Sequence, residues 1–274
     1  MLLIYKNRSI KTKMKSNKLN MHHSKKKVLI FIISYKASFR VRDVFNEIPF
    51  KKLKNYNIKT LISDDCSNDD TIKYAKILKK QKKNIYINQN KKNLGYGGHI
   101  KKCLNYAIKN KFHYAVMIHG DGQYSPKYIP NLLNILNNNY NICSSTGSRI
   151  LKGIRKVYSG GMPFYKLVGN IILTKIFNIL MRCDFTDTHT GLWAYNLSFF
   201  KDKEFNYLTN SYNFDQDFRV MSLLKKRNIK EIPIQTKYGD ERSQLHFKYA
   251  IKFFLNTLLF FCVRVGVINS KKFK

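Results

Sequence analysis

VLIFIIS, residues Val28 to Ser34, follows a charged stretch and is an unbroken run of β-branched, aliphatic and aromatic side chains. That pattern belongs to a strand buried on both faces of a parallel sheet. KTLIS (Lys59–Ser63), NIYIN (Asn84–Asn88) and YAVMI (Tyr114–Ile118) repeat the signal; the first of these runs into Asp64 and Asp65 and the last into His119. Helical stretches separate them: Phe39–Ile48, stopped by Pro49; a segment capped by Ser67–Thr71 and running through Lys80; and Tyr96–Lys109, opened by glycines. Strands alternating with helices at this spacing predict a doubly wound, Rossmann-like α/β sheet, mostly parallel, with helices on both faces.

The second half continues less regularly. A helix is expected from Pro126 to about Asn138, a strand near Ile142–Ser145, an apolar helix over Met162–Arg182, and a polar loop over Asp184–Gly191. A strand-like run at Leu192–Tyr195, a helix over Asn213–Lys226 and a late strand at Ile229–Thr236 complete the domain, assigned to residues 28–244. Residues 1–27 are basic and polar, with too short an apolar run for a signal peptide, and read as a disordered leader. The segment 245–274 is rich in Phe and Leu but broken by Lys248, Lys252, Asn256 and Arg264. Charges inside a span cost about 2.5 to 3.5 kcal/mol each at the bilayer centre, so one in-plane amphipathic helix or two short ones fits better than a crossing. A core helix packed on the domain is the competing reading.

The chain of 274 residues carries 51 Lys+Arg against 16 Asp+Glu, a formal charge of +35. Such a surplus attracts phosphates and anionic membranes. Lys, Asn and Ile replace Arg, Gln and Val nearly everywhere, so a coding bias accounts for much of it. A nucleic-acid partner is not expected, because the aromatics form no stacking motif and the acids cluster at strand ends. Cys66, Cys103, Cys143, Cys183 and Cys262 are odd in number and lack a CxxC pair, which indicates neither a disulfide framework nor a zinc site, and a reduced, cytoplasmic setting.

In doubly wound sheets ligands bind beyond the carboxyl ends of the strands, where Ser34, Asp64 with Asp65, and His119 to Asp121 fall. Asp64 and Asp65 suit hydrogen bonds from a base or ribose, while Ser67–Asp70 reads as a helix cap. In HGDGQY, an extended backbone aims His119, Asp121 and Gln123 the same way, with Gly120 and Gly122 allowing close approach. Donors of that kind suit Mg²⁺ or Mn²⁺ carrying a diphosphate. Asn93, Gly95 and Gly98, in NLGYGGH at a helix start, have the composition of a phosphate cradle, but the spacing matches neither a dinucleotide fingerprint nor a P-loop. Asp187, His189 and Thr190 in TDTHTG, and Asp215 and Asp217 in NFDQDF, offer a general base or ligands for sugar hydroxyls. Because they stand two apart at a helix start, at most one of Asp215 and Asp217 is expected to face the site. Arg149 in TGSR and the run KYGDERS (Lys237–Ser243) are placed to neutralise a departing diphosphate.

The ordered set DDCSNDDT, NLGYGGH, HGDGQYSP, GSRI, DTHTGLWAY and KYGDERS, spread over about Val28–Lys248, resembles glycosyltransferase family 2, in particular its dolichyl-phosphate mannosyltransferase and polyprenyl-phosphate sugar transferase branch. The resemblance implies a GT-A fold with Ser34, Tyr35, Asp64 and Asp65 near the nucleobase and ribose, Asp121 on the metal with Gln123 beside it, and Arg149 and Arg242 near the diphosphate. It implies an inverting enzyme, transferring sugar from a nucleotide-diphosphate donor to a lipid-phosphate or glycan acceptor. The family's metal motif usually carries a carboxylate where this chain has His119. With a lipid phosphate no strong base is needed; with a sugar hydroxyl, Asp217, ahead of Asp215, is expected to act as base. Attachment to the inner face of an anionic membrane is expected through Met162–Arg182 and Leu245–Ile268.

Overall fold

The computed structural model describes residues 24–154, 157, 161–236 and 247–270. Among them, seven strands form one sheet in the order β3-β2-β1-β4-β6-β5-β7. The strands are β1 (Lys27–Ser34), β2 (Asn57–Asp64), β3 (Ile85–Gln89), β4 (Tyr114–His119), β5 (Ile142–Ser148), β6 (Trp193–Asn196) and β7 (Asn228–Pro233). All run parallel except β6, which is antiparallel to both β4 and β5. The helices are α1 (Arg40–Asn46), α2 (Thr71–Gln81), α3 (Tyr96–Lys109), α4 (Ile129–Asn138), α5 (Phe164–Met181), α6 (Phe214–Leu224) and α7 (Phe247–Arg264).

The two-faced burial expected of β1 is observed. Val28, Ile30 and Ile32 pack with residues of α1, α2 and α4, whereas Leu29, Phe31 and Ile33 pack with α3 and α6. Each such side chain contributes about 1.5–3 kcal/mol on full burial, and a one-residue slip would exchange the two sets. The register is therefore strongly specified. It sets Ser34 beside Asp64 and Ile33 beside His119, so the carboxyl ends of β1, β2 and β4 form one edge.

β5 runs three residues beyond the expected Ser145, through a polar stretch that is wholly buried. Two of its hydroxyls are satisfied by backbone carbonyls: Ser145 Oγ donates to Leu132 O at 2.9 Å and Thr146 Oγ1 to Leu192 O at 2.9 Å. Burial of a hydroxyl is tolerated once its hydrogen bond is made. Pro233 closes β7, an edge strand, where a missing amide does no harm.

The C-terminal segment is one continuous helix rather than two. α7 lies against α5 and α6, with Phe253 and Phe260 buried beside Phe177, Met181 and Val220. Gln216 Nε2 donates to Phe253 O at 3.1 Å and to Thr257 Oγ1 at 2.6 Å, and Arg264 Nη1 donates to Leu180 O at 3.0 Å. The opposite face, Ile251, Phe254, Leu255, Leu258 and Leu259, is exposed. α5 is likewise half docked, and by length and composition alone it is apolar enough to cross a membrane.

Candidate active site

Backbone bonds lock the strand ends together: Asp65 N donates to Ser34 O at 2.9 Å and Gly120 N to Ile33 O at 2.8 Å. A Cβ on Gly120 would stand 2.4 Å from Ser34 Oγ, so this approach requires glycine. Ser34 Oγ is buried and has no hydrogen-bond partner among the described residues, whereas Tyr35 is half exposed. Asp64 accepts from Ser67 N at 2.9 Å and, in a very short bond, from Ser67 Oγ. Asp65 Oδ1 accepts from Asn90 Nδ2 at 2.7 Å and Leu94 N at 2.9 Å. Both carboxylates thus shape the loops after β2 and β3, and within Ser67–Asp70 it is Asp69 Oδ1 that accepts from Thr71 N, at 3.1 Å, while the N-cap residue Asp70 makes no side-chain cap bond.

His119 ends β4, and Gly120–Gln123 beyond it form a turn, not an extended strand. Gly122 adopts φ +77°, a left-handed value that glycine tolerates, and Gln123 N donates to Asp121 Oδ1 at 2.9 Å. The extended backbone on which a common aim for His119, Asp121 and Gln123 was expected is therefore absent after His119. The His119 ring turns inward between Tyr96 and Tyr124, with centroids 5.6 Å and 5.3 Å away. Its Nε2 lies 3.4 Å from Tyr96 Oη and would be 2.6 Å from a Cβ on Gly191. Burial lowers its pKa, favouring the neutral ring.

The glycines opening α3 serve close packing rather than an open phosphate cradle. The amides of Gly97 and Gly98 both donate to Asn210 O, at 2.9 Å and 3.3 Å, and a Cβ on Gly97 would stand 2.3 Å from Thr209 O. Gly95 has φ +75°, with Asn93 Oδ1 accepting its amide at 2.8 Å. Asn210 O thus already occupies the Gly97 and Gly98 amides of the first turn of α3.

The two acids of α6 diverge, as residues two apart on a helix must. Asp217 Oδ2 accepts from Thr209 N at 2.9 Å, bracing the loop that caps α3. Asp215 Oδ2 accepts from Tyr96 Oη at 2.8 Å and so faces the strand edge. Of the two acids, it is therefore Asp215 that lies beside Tyr96 and His119. Burial pushes the Asp215 carboxyl up to about 7, against the lowering effect of Tyr96 and Arg219.

Arg149, one residue past β5, is bound to Asp187: Nε donates to Oδ2 at 2.7 Å and Nη2 to Oδ1 at 2.9 Å. Thr190 is buried and His189 partly so, the His189 ring 4.2 Å from that of Phe253 on α7. Arg242 and the run Lys237–Ser243 lie outside the described residues. Three participants escaped the sequence reading. Tyr96 and Tyr124 read only as helix and turn aromatics. Arg219 is fully buried, its guanidinium 4.4 Å from the Trp193 ring and donating to Asp187 O at 3.0 Å; its one signal was a lone cation in an apolar helix run.

No group of three or more His, Cys, Asp or Glu side chains able to hold a metal exists among the described residues. Asp121 and Gln123 supply hard oxygen donors but not a complete shell, which is how Mg²⁺-type ions sit when substrate phosphates provide the remaining ligands. A cleft of about 560 Å³ opens at the opposite, amino-terminal edge of the strands, beside Lys27, Tyr56 and His113, away from all of these acids.

Among solved structures, the chain is similar to glucosyl-3-phosphoglycerate synthase of Mycobacterium tuberculosis, solved with Mn²⁺, uridine diphosphate and phosphoglyceric acid. The TM-score is 0.61 at 12% identity, over 90% of this chain and 81% of that one. At that identity the likeness establishes the fold, of GT-A type. In sequence it is 29% identical over 229 residues to the UDP-N-acetylglucosamine–dolichyl-phosphate N-acetylglucosaminyltransferase of Methanococcus voltae, covering 78% of this chain and 87% of that protein. It is also 30% identical over 114 residues to the dolichyl-phosphate hexose transferase of Haloferax volcanii, covering 42% of this chain and 46% of that one. The model of the family described as glycosyl transferase family 2 matches residues 29–203, and with the strand-edge site in place the chain belongs to that family and is a glycosyltransferase.

Proposed function

We propose that this glycosyltransferase moves a sugar, with inversion, from a nucleotide-diphosphate donor to a polyprenyl-phosphate-like lipid, with one Mg²⁺ or Mn²⁺ held by Asp121 and Gln123. The observation that carries the reading is the shared edge of β1, β2 and β4, which gathers Ser34, Asp65 and the Gly120–Gln123 turn. Asp64 and Asp65 shape the nucleoside pocket beside Tyr35. Arg149, with Arg242, supplies positive charge for the diphosphate, and the ion, when bound, offsets the negative charge that builds up on the leaving group.

The acceptor class rests on the acids. Asp217 Oδ2 is tied to Thr209 and Asp215 Oδ2 to Tyr96, and a lipid phosphate, already ionised, needs no base from either. The two dolichyl-phosphate transferases among the relatives agree with that choice.

A membrane setting follows from α5 and α7, which expose apolar stripes and contain Lys and Arg but no Asp or Glu. Their opposite faces are buried in the domain, so they lie in the plane of the interface, on the cytoplasmic side of an anionic membrane. All five cysteines are free, in keeping with a reducing compartment.

The test is a panel of labelled UDP- and GDP-sugars with polyprenyl phosphate and Mn²⁺. Label is expected in the organic extract; label only in water-soluble glycan would replace this acceptor with a sugar hydroxyl.

A further inference from the structure

Asp187 was expected to touch sugar or acceptor, yet it is wholly buried and its oxygens are already engaged. Oδ1 accepts from Arg149 Nη2 at 2.9 Å and His189 N at 3.1 Å; Oδ2 accepts from Arg149 Nε at 2.7 Å and Arg149 N at 3.1 Å. A carboxylate offers about four lone-pair sites. These four bonds leave nothing for a sugar hydroxyl, and three of them fix the backbone and the guanidinium of one residue.

The clamp is held from behind. Glu231 on β7 accepts from Thr186 N at 2.7 Å, Thr186 Oγ1 at 2.7 Å and Asp187 N at 3.1 Å. Arg219 on α6 grips Asp187 O at 3.0 Å. Burial alone would raise the Asp187 pKa, but the charge and hydrogen bonds of Arg149 outweigh it and keep the carboxylate ionised. A two-point fork of this kind sets orientation as well as energy. Arg149 directly follows Ser148, the last residue of β5, and β5 runs in the same direction as β1 and β4. The fixed cation therefore stands on the carboxyl edge, where the ligand is expected.

We propose that Asp187 is a positioning residue, which holds the Arg149 guanidinium at the carboxyl edge of the sheet for a phosphoryl anion and does not itself contact sugar or acceptor. This rests on the transferase reading for the identity of the anion. Orientation matters most when charge develops, so the clamp acts on turnover more than on donor binding.

The experiment combines calorimetric titration of pyrophosphate in the presence of Mn²⁺ with steady-state kinetics, on wild type, Asp187→Asn, Arg149→Lys and the double variant. Asp187→Asn removes a negative charge, and simple electrostatics would then tighten pyrophosphate binding. The clamp instead predicts weakening of about tenfold, with kcat falling about a hundredfold while donor KM changes less than about threefold. The double variant should be no worse than Arg149→Lys alone. Unchanged or tighter pyrophosphate binding in Asp187→Asn, additive losses, or a wild type that does not bind pyrophosphate would overturn the proposal. If Asp187→Asn does not fold, Glu231→Gln takes its place: a smaller kcat loss that vanishes in the Arg149→Lys background is expected, and no loss overturns the idea. Pyrophosphate binding needs no turnover, so a wild type that binds it but transfers no sugar would sink the transferase reading and leave the clamp standing.

Discussion

Tyr96 Oη donates to Asp215 Oδ2 at 2.8 Å while facing His119 Nε2 at 3.4 Å, so one phenol ties the start of α3, the end of β4 and the start of α6 together. The His that stands where the family's metal motif usually has an acid is thereby drawn into a buried polar chain beside the strand edge. Burial dominates its electrostatics: the phenol is held well above its usual range and the His119 ring is kept neutral.

A pH dependence follows for Asp215. An unfolded Asp titrates near about 3.9, and the folded one near about 7. Between those values the folded protein keeps a proton that the unfolded chain has released, so its stability falls as pH rises through the window, by up to about 1.4 kcal/mol per unit. Asp215→Asn should match wild type at pH 4 and exceed it at pH 8 in thermal unfolding. The difference between the two proteins isolates Asp215 from His99 and His189, whose burial lowers their pKa values to about 4 and about 3 and weakens the fold on the acid side. In kinetics the variant should keep kcat within about tenfold of wild type, since loss of a true general base costs about 10²–10⁴. A drop of the larger size would restore the hydroxyl-acceptor reading.

Gly120→Ala tests the contact between β1 and β4. Its methyl would meet Ser34 Oγ at 2.4 Å and Ile33 O at 3.2 Å, and overpacking of this kind costs about 1–3 kcal/mol. Activity should fall more than about tenfold, because the turn bearing Asp121 must shift. Adding Ser34→Ala removes the Oγ contact and leaves the two at 3.2 Å, with Ile33 O and with the Cβ of residue 34, so the double variant should recover more than half of the lost stability. No recovery would show that the clash lies elsewhere.

Much of the parallel half was legible because its signals are local. The run at β1 stated its own two-sided burial, and the bounds of α3 match the glycine start and the Lys109 end. What was hidden depends on distant partners. Gly97 and Gly98 look like a phosphate cradle until Asn210 arrives from across the chain. The choice between Asp215 and Asp217 turns on helical phase relative to Tyr96, and a buried arginine such as Arg219 runs against the usual exposure of its type. The common aim expected of His119, Asp121 and Gln123 assumed an extended backbone, which the left-handed Gly122 breaks just after β4.

Asp121→Asn should separate folding from chemistry. The side-chain oxygen that accepts the Gln123 amide at 2.9 Å survives in the amide, so the melting temperature should move by no more than about 2 °C, in line with a change below about 0.5 kcal/mol. The anionic charge for a divalent ion is lost, and kcat should fall at least about a hundredfold. EDTA should abolish wild-type transfer and Mn²⁺ or Mg²⁺ restore it. Full activity in EDTA would remove the metal from the proposal.

The membrane reading makes the sharpest spatial claim. Along α7, Ile251, Phe254, Leu255, Leu258 and Leu259 recur at helical spacing and are exposed, whereas Phe253, Thr257 and Phe260 on the other side are buried. On α5 the exposed positions Phe164, Val168, Ile172 and Ile179 also keep to one stripe. A lipid surface would receive these side chains at about 1.5–3 kcal/mol each if fully buried, and each nearby Lys or Arg adds about 1 kcal/mol on an anionic leaflet. Wild type should therefore sediment with vesicles containing anionic lipid and release partly at high salt. Ile179 is 75% exposed and Leu255 56%, so Ile179→Glu with Leu255→Glu should leave the fold within about 1 kcal/mol yet reduce vesicle binding more than tenfold by the same area argument. Transfer to a short, water-soluble prenyl phosphate should survive in that variant while transfer to vesicle-borne lipid falls. Equal loss on both acceptors would mean that the two helices support the domain and not its seat on a membrane.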